Sequence, residues 1–207
     1  MTAEAPENPG EANPLISYVE EQDFPARLRP ALESYIKRMG FLPNALKLYM
    51  HRPEIAETIW ALNDKVMRDP SSTLDPFLKR RLGAVVSKIN ACTYCISHNC
   101  ATLKNAVGGK SEGWGLSDDE VRALLADGFE PKDEFERVCL DFVRSASEDP
   151  GNVSEEIYRR LVKHLTPPQI IELACVVGFW NFYNTVHKSL RIPLESHLLS
   201  ESVYGNL

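Results

Sequence analysis

Reactive side chains are concentrated in one stretch of the 207-residue chain, between Ser87 and Lys104. Cys92 and Cys95 form a CxxC pair in this stretch, and His98 follows three residues later. On a helix, the i, i+3 spacing places both sulfurs on one face. Near a helix N-terminus the free amides and the macrodipole stabilise a thiolate, and the second thiol can then close a disulfide. The spacing predicts two-cysteine redox chemistry, with His98 as the base or proton shuttle.

Zinc binding is the competing interpretation, because Cys92, Cys95, His98 and Cys100 supply four suitable ligands. These residues are close together in sequence, and a continuous helix cannot wrap four ligands tetrahedrally. Structural zinc sites usually combine two separated ligand pairs, and the sequence has no second pair. We therefore expect no bound metal at this stretch.

The remaining free cysteines are expected to be unreactive core residues, as buried cysteines commonly are. On a continuous helix Cys100 lies on a different face from Cys95, because it is five residues further along. Cys139 and Cys175 lie within apolar helical stripes. The five cysteines are an odd number and are not spread along the chain like a disulfide framework.

The elements around this stretch are predicted to be helical. Apolar residues recur at helical spacing and alternating strand patterns are nearly absent, which predicts an all-α domain of roughly eight to ten helices. A helix that is nearly apolar from Ile170 to Trp180 and continues to Leu190 is expected in the core or in a subunit contact. Lys79-Arg80-Arg81 is expected on a solvated face. The predicted helix starts and caps are Pro25, Pro53, Asp75-Pro76, Ser117 with Glu120, Ser154, and Thr166 with Gln169; Gly40, Gly108-Gly109 and Pro193 are predicted ends.

The bulk composition limits the domain organisation and the partners. Residues 1–13 contain little that can be buried and are predicted to form a disordered tail, so residues 14–207 form a single domain. The net charge of -6 argues against nucleic acid or an anionic membrane as partner. No apolar run is long enough to span a bilayer and the N-terminus has no signal-peptide core, so we expect a cytoplasmic protein.

Residues 82–98, LGAVVSKINACTYCISH, resemble the signature of the alkylhydroperoxidase D-like and carboxymuconolactone decarboxylase-like superfamily. The resemblance is closest to the peroxidase-related branch, where a Ser-x-x-Asn-x-Cys-x-Tyr-Cys pattern is followed by a histidine. Further similarity covers most of residues 40–195 and includes residues 40–44 (GFLPN), 51–53 (HRP), 178–184 (GFWNFYN) and 190–195 (LRIPLE).

The resemblance implies an all-α fold that assembles as a homo-oligomer, commonly a trimer or hexamer. It implies a cysteine pair that reduces hydroperoxides or shuttles disulfides, with Cys95 attacking and Cys92 resolving. Lactone decarboxylases of the superfamily generally lack the pair. No nucleotide- or flavin-binding motif is visible, so no cofactor is expected and a thiol or dithiol protein would supply electrons.

Two positions depart from the family pattern. In the family, the relay histidine usually lies four residues after the second cysteine, and this chain has Asn99 at that position. A glutamate usually lies twelve residues before the first cysteine, and this chain has Arg80 there. A nearby arginine would lower a cysteine pKa but cannot accept a proton. His187 is a candidate replacement for the missing relay groups, and Tyr94 for a donor to the reacting oxygen.

Three functions remain open at this point. The first is a thiol-dependent peroxidase or disulfide reductase. The second is a helical oligomer whose cysteine pair is structural or redox-sensing. The third is a decarboxylase, isomerase or lyase that acts on a small organic acid. Trp180, Phe182 and Tyr183 are candidates to line a substrate pocket, although core packing is the alternative.

Overall fold

The architecture is all-helical in the computed structural model, which describes residues 14–104, 113–131 and 133–206. Those residues form nine α-helices, a C-terminal run of 3-10 turns and no strand, as predicted. The helices are α1 (Arg29–Met39), α2 (Asn44–Tyr49), α3 (Pro53–Arg68), α4 (Pro76–Ile89), α5 (Thr93–Lys104), α6 (Asp118–Leu125), α7 (Glu134–Glu148), α8 (Glu155–His164) and α9 (Pro167–Ser189). The predicted tail at residues 1–13 and the predicted helix end at Gly108-Gly109 lie outside the described residues.

Helix starts follow the capping signals in the sequence. The Asp75 carboxylate accepts the Leu78 amide at 3.3 Å at the start of α4. Ser117 and Glu120 form the predicted capping box of α6, and a second box opens α9. These contacts satisfy amides that have no partner within the helix. They fix where α4 and α9 begin.

Short 3-10 turns flank the α-helices at both ends of the described residues. One turn lies at Glu21–Asp23, and the helix predicted to start at Pro25 opens with a 3-10 turn at Ala26–Leu28 before α1. After α9, Ser196–Asn206 forms successive 3-10 turns that pack on α5. A Cβ at Gly205 would lie 2.9 Å from the Thr93 side chain, so this close approach requires glycine.

The core is built from α4, α5, α7 and α9. Leu82, Val86 and Leu103 are fully buried between them, and Leu173 of α9 faces the same interior. Gly83 allows α4 and α9 to approach closely, because a Cβ at this position would collide with the Trp180 indole. The four elements bring the end of α4, the start of α5 and the end of α9 to one place.

Helix α9 is buried on one face only, although the sequence predicted a helix buried in the core or in a subunit contact. Its outer face carries Ile171, 65 % exposed, Phe182, 41 % exposed, and Cys175. The expectation that Cys175 lies in the core is therefore wrong. The apolar composition of the helix concealed which positions point outward.

The Lys79-Arg80-Arg81 run was expected on a solvated face, and this expectation is also wrong. The Lys79 ammonium is fully buried and contacts the Glu172 carboxylate at 2.9 Å and the Val66 carbonyl at 2.8 Å. Arg80 is 8 % exposed, and Arg81 pairs with Glu136. The partners come from α3, α7 and α9, so a local pattern on α4 could not reveal the burial.

Candidate active site

The cysteine pair lies where α4 ends and α5 begins. Ala91 has a positive φ of 49°, and the Cys92 amide donates to the Ser87 carbonyl at 3.0 Å, which closes the end of α4. Helix α5 then starts at Thr93, so the chain restarts a helix here. The Cys95 amide donates to the Cys92 sulfur at 3.4 Å, which puts Cys92 in the N-cap position.

Cys92 and Cys95 are joined by a disulfide, with their Cα atoms 5.3 Å apart. Cys92 is completely buried, whereas Cys95 forms part of a cavity wall. The pair lies at the N-terminus of α5, and the first amides of a helix stabilise a thiolate after reduction. Of the two sulfurs, Cys95 therefore has the access that an attacking group needs.

His187 is the imidazole next to the Cys95 sulfur, with 3.3 Å between Nδ1 and Sγ. The side chain belongs to the last turn of α9, where the Ile192 amide donates to the His187 carbonyl at 3.2 Å. Burial lowers the pKa of His187 to about 3, and repulsion from His98 adds to this while Glu195 opposes it. The imidazole is therefore neutral at neutral pH while the disulfide is closed, and in the reduced protein a thiolate at Cys95 would favour its protonated form.

Glu195 organises a second cluster beside the pair. His98 Nε2 lies 2.8 Å from one carboxylate oxygen, and the Tyr94 hydroxyl donates to the other at 2.9 Å. The Asn44 amide donates to the same carboxylate at 2.6 Å, and the Ala45 amide donates to the Tyr94 oxygen at 3.2 Å. Although burial alone raises the pKa of Glu195, the charge and hydrogen bond of His98 and the Asn44 amide lower it to about 2.

This cluster gives His98 a different neighbour from the one that the sequence suggested. Its Nε2 is held by Glu195, whereas the sulfur of Cys95 faces His187. The same glutamate receives the Tyr94 hydroxyl, whose pKa burial raises well above its usual value. Sequence reasoning missed Glu195 as a site residue; its position within the 190–195 segment of the family pattern was the available signal.

Arg80 and Asn99, the two departures from the family pattern, contact each other. Arg80 Nη1 donates to Asn99 Oδ1 at 3.0 Å, and the Asn99 amide group donates to the Cys95 carbonyl at 3.0 Å. The Asn99 amide group also lies 3.4 Å from Ser87 Oγ, which donates to Asn184 at 3.2 Å. A guanidinium and an amide can hydrogen-bond to each other in the interior, but neither can relay a proton. The pair therefore braces α5 against α4.

A cavity of about 80 Å³ opens beside Cys95. A water needs roughly 10–15 Å³ on this scale, so the space holds about five waters. Three buried polar atoms there have no hydrogen-bond partner: Tyr49 Oη, Trp180 Nε1 and His187 Nε2. Tyr183 also lines the cavity, whereas Phe182 points outward.

The four residues considered for zinc are not arranged as a metal site. Two of them share the disulfide, and His98 contacts Glu195. Across residues 14–104, 113–131 and 133–206, no three His, Cys, Asp or Glu side chains are grouped to hold a metal ion. No helix in the same ranges combines the length and apolarity needed to cross a membrane.

Comparison with known proteins identifies the fold. A crystal structure of the debrominase Bmp8, a cysteine-to-alanine variant bound to 2,3,4-tribromopyrrole, superposes with a TM-score of 0.76 at 20% identity over 93% of this chain and 98% of that one. An alkylhydroperoxidase AhpD-core, peroxidase-related protein from Ralstonia eutropha JMP134 superposes with a TM-score of 0.77 at 17% identity. The match covers 94% of this chain and 97% of that one. The chain has the alkylhydroperoxidase D-like fold.

Sequence comparison is less informative. The uncharacterized protein YnjA of Escherichia coli (strain K12) is 22% identical over 124 residues, which make up 60% of this chain and 64% of that protein. The chain thus matches less than two thirds of this relative's length. No protein-family profile matches the chain.

Proposed function

We propose that the protein is a thiol-dependent oxidoreductase, a peroxidase or disulfide reductase in which Cys95 attacks and Cys92 resolves. The observation that carries the proposal is the contact between Cys95 Sγ and the neutral imidazole of His187, 3.3 Å apart at the wall of a cavity. A buried neutral base next to a thiol at a helix N-terminus is an arrangement that activates cysteine.

The reaction begins with the reduced pair. His187 Nδ1 takes the thiol proton of Cys95, and the thiolate attacks the terminal oxygen of a hydroperoxide. The O–O bond breaks, the alkoxide takes the proton back from His187 and leaves as the alcohol, and Cys95 becomes a sulfenic acid. The Cys92 thiol then attacks this sulfur and water leaves, which gives the observed disulfide. An external thiol or dithiol protein returns two electrons and two protons.

Arg80 and Asn99 do not take part in proton transfer in this scheme. His187 takes the place of the relay that the family pattern puts at those two positions. Glu195, with Tyr94 and His98, acts as a positioning group that holds the start of α5 against the α2 N-terminus.

Reductive debromination is a second candidate, and the shape of the cavity favours it. Aromatic rings of Tyr49, Trp180 and Tyr183 form its walls, which suits a flat ring. Closing the disulfide releases two electrons, enough to replace a carbon–bromine bond with carbon–hydrogen and release bromide. Bromide release from 2,3,4-tribromopyrrole by the reduced protein, compared with hydroperoxide consumption, would decide between the two reactions.

We also propose that the protein is a homo-oligomer, a trimer or hexamer. The exposed apolar side chains Ile55, Leu62 and Phe182 of α3 and α9 support this, because such groups are commonly covered by a subunit contact. Sedimentation equilibrium tests it, and a monomer at micromolar concentration would contradict it.

The redox proposal is tested by following iodoacetamide reaction rates against pH with the reduced wild type, Cys92→Ser and Cys95→Ser. Cys175→Ser is the control, because that thiol is exposed and far from the pair in sequence. We expect Cys95 to react as a thiolate near neutral pH and hydroperoxide to be consumed with formation of the Cys92–Cys95 disulfide. Ordinary thiols with pKa values near ~8.5, together with surviving peroxide, would favour a structural or redox-sensing pair.

A further inference from the structure

Three tyrosine rings enclose the His187 imidazole. The ring centres of Tyr183, Tyr94 and Tyr49 lie 5.0, 5.1 and 5.8 Å from the imidazole centre. The Tyr94 hydroxyl already gives its proton to Glu195. Of the three hydroxyls, only that of Tyr49 is buried without a hydrogen-bond partner among the described residues. Tyr49 therefore has a proton to donate that no group in this part of the chain accepts.

The second nitrogen of the His187 ring is a donor of the same kind. Nδ1 lies 3.3 Å from Cys95 Sγ, whereas Nε2 is buried and has no hydrogen-bond partner in the described parts of the chain. If Nδ1 is to accept the Cys95 proton, the neutral ring must carry its own hydrogen on Nε2. His187 and Tyr49 are 7 % and 8 % exposed, and both line the cavity that Cys95 lines.

Helix α2 fixes the position of Tyr49, its last residue. At the start of the helix, the Asn44 backbone amide donates to the Glu195 carboxylate at 2.6 Å, and the Asn44 side chain donates to the Pro193 carbonyl at 3.0 Å. After its end, the Arg52 amide donates to the Tyr49 carbonyl at 2.9 Å. The segment that follows α9 thus anchors the helix that places Tyr49 beside His187.

Two buried donors without acceptors are costly, and an oxygen that accepts from both would remove that cost. Burial raises the pKa of Tyr49 above its usual range, and Tyr183 adds to this, so the hydroxyl keeps its proton at neutral pH. The peroxidase scheme generates a suitable acceptor next to Cys95, because the peroxide O–O bond breaks to give an alkoxide. Donors that are already in place where such a charge develops stabilise the transition state.

We propose that Tyr49 is a catalytic residue, and that its hydroxyl and His187 Nε2 together bind the leaving oxygen of the hydroperoxide. The inference rests on the proposed peroxidase function. The Cys95 proton moves to Nδ1, the thiolate sulfur bonds to the terminal oxygen, and the O–O electron pair passes to the leaving oxygen. Nε2 gives its proton to that oxygen while Tyr49 donates a hydrogen bond to it. The alcohol leaves, the imidazole is neutral before and after, and proton exchange with solvent restores the starting tautomer.

The test compares two peroxides whose leaving groups differ in basicity. tert-Butyl hydroperoxide releases a strongly basic alkoxide, whereas peracetic acid releases acetate, and a carboxylate needs no proton at neutral pH. The rate of Cys92–Cys95 disulfide formation in the reduced protein is measured for wild type and Tyr49→Phe. Tyr158→Phe is the control, because Tyr158 is exposed on α8. We expect Tyr49→Phe to slow the reaction with tert-butyl hydroperoxide at least about tenfold and that with peracetic acid less than about threefold.

Two further measurements separate catalysis from structure. Iodoacetamide alkylation of Cys95 in a Cys92→Ser background reports on the thiolate alone, because iodide leaves without a proton, and Tyr49→Phe should leave this rate within about twofold. Urea unfolding of Tyr49→Phe should show no loss of stability, because the removed hydroxyl has no partner among the described residues. A destabilised variant, or one with slower alkylation, would show that the hydroxyl has a structural role and would overturn the inference.

The outcomes also distinguish this inference from the proposed function. An equal effect of Tyr49→Phe on both peroxides, or no effect on either, would refute the role of Tyr49 and leave the peroxidase function standing. Failure of the wild type to reduce either peroxide would refute the peroxidase function, and the role of Tyr49 with it. Slowing with tert-butyl hydroperoxide alone supports both.

Discussion

Acidification from pH 7.5 to 5.0 should destabilise the oxidised protein through His187. In the folded protein burial lowers the pKa of this imidazole to about 3, whereas a histidine in an unfolded chain has a pKa of ~6.5. The unfolded state therefore binds more protons between these two values. The contribution of neutral His187 to the free energy of unfolding is complete above pH 6.5, and it is lost as the pH falls towards 3.

The expected loss follows from the pKa difference. At pH 5.0 the unfolded histidine lies about 1.5 pH units below its pKa, and each unit corresponds to ~1.36 kcal/mol, which gives about 2 kcal/mol. The value is insensitive to the folded pKa as long as that stays below ~4. The carboxylates of Glu172 and Glu195, with pKa values lowered to about 2, lose their contribution only at lower pH.

The assay is urea unfolding of the disulfide form at both pH values, with wild type and His187→Asn compared. Asparagine does not titrate, so the variant should be less stable at pH 7.5 but should lose about 2 kcal/mol less on acidification. Equal losses in the two proteins would refute the reasoning. They would mean that His187 is hydrated and charges freely, and that it is not the neutral base beside Cys95.

Three further predictions concern packing and accessibility around the site. Glu195→Gln should lower stability by about 1–3 kcal/mol in urea unfolding at neutral pH, because the buried donors around the carboxylate lose a charged acceptor; unchanged stability would contradict the role of the cluster. Gly83→Ala should destabilise by about 1–3 kcal/mol and shift Trp180 fluorescence, because the new methyl group collides with the indole. Gly178→Ala is its matched control on open α9 surface and should stabilise by up to ~1 kcal/mol, so the same sign for both would refute the packing argument. In the native oxidised protein only Cys175 should react rapidly with Ellman's reagent, since the other two free thiols are buried with raised pKa values; more than one fast thiol would contradict this.

Local signals predicted much of the scaffold. The capping residues Asp75, Ser117 and Thr166 each begin a helix where the sequence indicated, because a cap is a contact between residues three positions apart. The all-α fold likewise followed from apolar periodicity.

The contacts that complete the site could not be predicted in this way. His187 reaches Cys95, and Glu195 reaches His98, only after α9 and its exit pack against α5. Lys79 can be buried because its ammonium pairs with the Glu172 carboxylate of α9. The run of three basic residues on α4 does not indicate this partner. Exposure of Cys175 depends on which face of α9 packs inward, and a helix that is apolar all round does not indicate the face.

The most direct test of the central claim is to trap the sulfenic acid. Reduced Cys92→Ser is treated with one equivalent of hydroperoxide in the presence of dimedone, and modified peptides are mapped by mass spectrometry, with reduced Cys95→Ser treated in parallel. The account predicts a dimedone adduct at Cys95 in the first protein and no adduct at Cys92 in the second. An adduct at Cys92, or no adduct at Cys95 while hydroperoxide is consumed, would contradict Cys95 as the attacking thiol.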